Sequence, residues 1–128
     1  MTSPAIKITA LLGGLVLIAG AAFHMTGLAG AKAAVSGIES EFFKMTLPVM
    51  WTIPSVHWAF VGFLSLGLAQ YKSKACAAIL IAFGIMMLLD ALVTFVSAGL
   101  FLGVYIMSTA GVLLLVSGLM LRKAAHAG

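Results

Sequence analysis

The sequence predicts an all-α integral membrane protein, a four-transmembrane-helix bundle with a short amphipathic helix in its first extracytoplasmic loop. Three observations predict it. The 128 residues are 63% hydrophobic and 8% charged, where soluble proteins carry charge on about a quarter of positions. The chain's mean hydropathy is +1.23. The apolar residues fall into four runs, each near the roughly 20 residues that cross a bilayer as a helix, with the basic residues at their ends. Four such spans take up most of the chain, so residues 1–128 read as a single membrane domain with no room for a soluble catalytic or binding domain.

The first run, Ile8 to Leu28, follows Lys7 and contains no charge, which is long enough to cross the hydrocarbon layer at about 1.5 Å per residue. A secretory signal is its rival reading, with Lys7 as a basic n-region and Ala31-Lys32-Ala33 as a small-residue cleavage site. The run exceeds the roughly 7 to 15 residues of a signal core, which favours a retained helix.

Ala29 to Trp51 forms the one substantial loop, holding the amphipathic helix at about 37–47. Ser36-Gly-Ile-Glu39 has the capping-box pattern, Ile38, Phe42 and Met45 recur at helical spacing beside Glu41 and Lys44, and Pro48 marks a stop. Trp51 and Trp58 flank Pro54-Ser55 as interfacial anchors of the next span.

The second span runs over 53–70, and Tyr71-Lys-Ser-Lys74 forms a short basic turn into the third, 75–97. Two glycines in Ala98-Gly-Leu-Phe-Leu-Gly103 permit a tight reversal, and the fourth span, 104–121, ends at Arg122-Lys123. Lys7, Lys72, Lys74, Arg122 and Lys123 fall on one side; Lys32 and Lys44, offset by Glu39 and Glu41, fall on the other. The positive-inside rule therefore places both termini in the cytoplasm. The net charge of +4 reports topology rather than a nucleic-acid partner, because the basic residues form no patch.

The polar residues left inside the spans are few. An aspartate near a helix centre costs about 2.5 kcal/mol or more, so each such residue needs an explanation. His24, His57, Asp90 and Tyr105, one per span, all lie about 21 to 25 Å from the basic ends at the helical rise. Asp90, Thr94 and Ser97 form a stripe on the third span, and Tyr105, Ser108 and Thr109 form one on the fourth; both stripes are expected to face protein.

Three readings fit this layer. The plainest is a structural hydrogen-bond cluster needing no cofactor, in which Asp90 accepts from a histidine or from Tyr105. A second is a ligand or proton site holding a quinone, a lipid headgroup or a proton. A third is haem or copper, with His24 and His57 as ligands and Asp90 as a third ligand or an orienter. His24-Met25 sets a thioether beside an imidazole, a pairing suited to Cu(I), although adjacent helical residues point about 100° apart.

Absences narrow the field. Cys76 is the one cysteine, which excludes an internal disulfide and a Cys-x-x-Cys redox relay. No phosphate loop, His-Glu-x-x-His helix or Gly-x-Ser-x-Gly elbow occurs. The first span lacks the acidic residue on which small multidrug exporters rely, and two haems would need four axial ligands where the spans offer His24 and His57.

Gly20-Ala-Ala-Phe-His24 and Met50-Trp-Thr-Ile-Pro-Ser-Val-His-Trp58 together resemble small bacterial four-helix inner-membrane proteins of the DoxX-like group. The resemblance covers Gly20 to Gly67 and implies a four-helix bundle in a bacterial inner membrane; it implies no activity. No catalytic set stands out. Gly13, Gly20 and Gly27 repeat every seven residues on the first span, as do Gly111 and Gly118 on the fourth, and small faces pack helices together in membranes. They suggest an accessory or oligomer-forming bundle whose partners are the lipid bilayer and either its own copies or a membrane complex. The alternatives are a redox or ligand-binding protein using His24, His57 and Asp90, and a minimal proton-coupled transporter built on Asp90.

Overall fold

The computed structural model describes residues 2–127, which form five helices: α1 Pro4–Thr26, α2 Leu28–Ala34, α3 Glu41–Leu68, α4 Lys74–Ala98 and α5 Leu102–His126. Among the described residues, four helical stretches are long and apolar enough to cross a membrane: α1 taken together with α2, then α3, α4 and α5.

The element boundaries follow local chemistry. Ser3 caps α1, its Oγ accepting from the Ile6 N–H, and Pro4 sits at the first helical position, where its missing N–H is not needed. The helix therefore begins before the apolar run at Ile8. Gly27 ends α1 with its N–H on the His24 carbonyl at 3.1 Å, and the chain resumes helix as α2 within the segment expected to be loop. Ser73 caps α4 through a 3.2 Å bond from the Ala75 N–H. Gly99 closes it with φ 77°, a left-handed conformation that glycine adopts without strain.

The separate amphipathic helix expected at 37–47 is not formed. Residues from Glu41 onward are the first turns of α3, which runs through Pro48 and Pro54. Each proline removes one donor and leaves one carbonyl, that of Lys44 or Met50, without its helical partner; the rest of the ladder holds. The expected capping box is also unused, since Ser36 Oγ donates backward to the Ala33 carbonyl at 2.7 Å and the residue at the start of α3 is Ser40.

The helices pack in the order α3, α1, α5, α4, and α3 and α4 approach each other much less than the other neighbours do. Small residues set these contacts. A Cβ on Gly14 would stand 2.8 Å from the Gly62 carbonyl oxygen and one on Gly62 2.7 Å from that of Gly14, so α1 and α3 meet backbone to backbone. A Cβ on Gly84 would meet the Leu115 nitrogen at 2.6 Å, and Gly118 lies against Ala77 and Ile81, which locks α4 to α5. Gly13 and Gly20 face Leu114 and Ile106 of α5, and Gly27 faces Trp51 of α3. Both glycine repeats are thus occupied within the chain.

Two long-range bonds tie the basic end together. Thr2 Oγ1 donates to the Ala69 carbonyl at 2.9 Å, and Ser117 Oγ donates to the Ile6 carbonyl at 3.0 Å. The fully buried core of the bundle includes Ile6, Leu17, Leu80, Met87, Leu114 and Leu121. The opposite end carries His24, His57 and Asp90.

Candidate functional site

Two sites share the end of the bundle away from the basic turns, and Trp58 forms a wall of both. Trp58 is 4% exposed. It is therefore a core residue rather than the interfacial anchor expected, because α3 turns this face toward α1 and α5.

On the α4 side, His57 Nδ1 lies 3.8 Å from Asp90 Oδ2. The separation suits an ion pair when the imidazole is protonated but is too long for a direct hydrogen bond. Both side chains stay partly open, at 33% and 40% exposure. They line a cleft of about 290 Å³ between α3 and α4, with Thr94 beside Asp90 and Pro54, Trp58 and Met107 behind. The cleft exists because α3 and α4 barely touch, and it places the one acidic residue of α4 where a third group can reach it.

On the α1 side, His24 Nδ1 lies 2.9 Å from Ser55 Oγ. The imidazole stacks on Trp51, with ring centroids 4.5 Å apart and planes 13° from parallel, and meets Trp58 at a tilt with centroids at 5.4 Å. Trp51 Nε1 donates to the His24 carbonyl at 3.0 Å. Next to this cluster is a cavity of about 200 Å³ lined by Phe23, Trp51, Trp58, Phe101 and Ile106 with His24.

No family model, curated protein or solved structure matches the chain. What these sites do has to be read from their geometry.

That geometry divides the expected layer. His57 and Asp90 lie 3.8 Å apart, near each other but not hydrogen-bonded. His24 turns to Ser55 between α1 and α3, so the three-ligand set of His24, His57 and Asp90 is not assembled; among the described residues no three His, Cys, Asp or Glu side chains gather to hold a metal ion. Met25 lines the opposite, lipid-type groove with Ala21 and Ser55, away from the His24 cavity. Tyr105 is 55% exposed and Thr109 is exposed as well. Their stripe faces outward because Gly103, Val104, Met107 and Gly111 take the packed face of α5. Asp90 and Thr94 do share the cleft, whereas Ser97, one turn on, is exposed.

The sequence reading missed Ser55 as a partner and Trp51 as a stacking surface. The signal for both was Ser55 and Trp51 themselves, four residues apart and so on one face of a helix, facing whichever neighbour carries His24.

Proposed function

We propose that the chain is a multi-pass membrane protein that binds a small amphiphile, with the molecule's polar head held between His57 and Asp90 and its apolar part lying in the lipid. The observation that carries this reading is the polar cleft between α3 and α4. A carboxylate and an imidazole stand 3.8 Å apart, neither satisfied by the other, at a depth where exposed ionisable groups are costly. A head with a hydroxyl or amine group would donate to the Asp90 carboxylate and pair with the His57 imidazole, completing both sets of hydrogen bonds. The concave shape suits a small head better than the flank of a partner helix.

Membrane insertion is supported by the four long apolar helices and by the ring of exposed Leu, Ile, Val and Phe around them. The shared basic end, tied by the Thr2 and Ser117 bonds, favours cytoplasmic termini. A bacterial inner membrane is proposed on the DoxX-like resemblance of the helix ends. Association loses the support that the glycine repeats lent it, because those glycines are covered by the chain's own helices.

The test is an organic extract of protein purified in mild detergent from its native membrane, analysed by mass spectrometry beside Asp90→Asn and His57→Phe. One small amphiphile enriched in the wild type and depleted at least tenfold in both variants is expected. Extracts that do not differ among the three proteins would remove the reading.

A further inference from the structure

We propose that the aromatic cavity beside His24 is a second ligand site, distinct from the His57–Asp90 cleft, which takes a planar, neutral ring bearing a carbonyl acceptor. Its walls set the shape. Trp51, Trp58, Phe23 and Phe101 bound a space of about 200 Å³, and flat faces of this kind favour offset or edge contacts with another ring.

The charge of the lining sets neutrality. His24 is its one ionisable residue, and no carboxylate lies in it, so with the imidazole neutral neither a cation nor an anion finds a counter-charge there. The hydrogen bonds set the acceptor. Ser55 is buried, and its hydroxyl is bonded to His24 Nδ1 and to no backbone carbonyl, unlike Ser65, which donates to the carbonyl four residues back. A buried hydroxyl proton needs an acceptor, so Ser55 donates to Nδ1, and in the neutral imidazole the ring proton is then on Nε2. Nε2 has no hydrogen-bond partner among the described residues, and no buried polar side-chain atom there is left unsatisfied. The Nε2–H is therefore not sealed, and because His24 belongs to the lining of this cavity we assign the open donor to it.

The ring is also held in place. Stacking on Trp51 and the bond to Ser55 fix the imidazole plane, and the absence of a side chain at Gly27 makes the stack: a Cβ there would stand 2.7 Å from the Trp51 ring. A donor fixed at the edge of an apolar, aromatic space recognises a carbonyl on a flat ring and discriminates against the same shape without one.

The experiment uses two fluorinated probes of nearly equal shape, 4-fluoroacetophenone and 1-ethyl-4-fluorobenzene, titrated by fluorine NMR into the purified protein in detergent, with empty micelles as the baseline. Saturable binding of both is expected, with the ketone favoured by about fivefold, the worth of one hydrogen bond of about 1 kcal/mol. His24→Phe keeps the ring and is expected to erase the preference while retaining the hydrocarbon. Leu102→Trp, which fills the cavity from an exposed position, is expected to abolish binding of both. Asp90→Asn is expected to leave the preference unchanged, which separates this site from the proposed cleft. Equal affinities in the wild type, a preference that survives His24→Phe, or a preference lost in Asp90→Asn would each overturn the assignment.

Discussion

Trp51 lies flat on His24, with ring centroids 4.5 Å apart, and donates from Nε1 to the His24 carbonyl at 3.0 Å. One side chain thus clamps both the ring and the backbone of a residue 27 positions earlier. The clamp sits where α1 ends at Gly27, so the loss of helical bonds at that end is offset by a contact from α3.

Gly27→Val tests the clamp. The added side chain would collide with the indole of Trp51, which is partly exposed and can swing outward, so the stability loss is expected at the low end for overpacking, about 1 kcal/mol. The near-ultraviolet circular dichroism of the two tryptophans is expected to weaken, because the stacked geometry is lost. An unchanged spectrum would show that Trp51 is not held by this contact.

The glycines divide into two classes with opposite expectations. Gly62→Ala and Gly84→Ala each put a methyl group against the backbone of a neighbouring helix, and both are expected to lower stability in detergent by about 1–3 kcal/mol. Gly30→Ala and Gly67→Ala meet nothing within 4 Å and are expected to be neutral or to stabilise by up to about 1 kcal/mol through helix propensity. Thermal unfolding followed by circular dichroism ranks the four, and equal effects in both classes would contradict the packing described.

The glycine positions explain why the spans were legible in the sequence and their use was not. Hydropathy and the flanking lysines located the four helices long and apolar enough to cross a membrane, because length and polarity are properties of a segment alone. Whether Gly13 and Gly20 face a second copy or α5 depends on which helices are neighbours, and that is a property of the whole bundle. The same limit applies to the site. Depth along the helix put His24, His57, Asp90 and Tyr105 in one layer, but rotation sends His24 to Ser55, His57 to Asp90 and Tyr105 outward. The continuation of α3 through Pro48 was missed for a different reason: one lost donor does not stop a helix whose other bonds are intact.

Cleavage at the signal-like Ala31-Lys32-Ala33 would remove Ile6, Ala10, Leu17 and Ala21 from the core and the partner of Ser117. Peptides from α1 are therefore expected in equal amount to those of α5 when the protein is isolated from membranes and digested. A preparation in which α1 peptides are absent while the rest stays folded would contradict the central position of α1.

Topology is open to labelling because Cys76 is the one cysteine. In a Cys76→Ser background, Lys72→Cys is expected to react with a membrane-impermeant maleimide only after the cells are broken, and Leu100→Cys in intact spheroplasts. The reverse pattern would invert the orientation argued from the basic ends.

Native mass spectrometry of the protein released from mild detergent tests the binding reading most directly, because it counts chains and bound molecules together. The predicted result is a single chain carrying one small amphiphile, with the adduct lost in both Asp90→Asn and His57→Phe. A ligand-free oligomer, or an adduct that survives both substitutions, would contradict it.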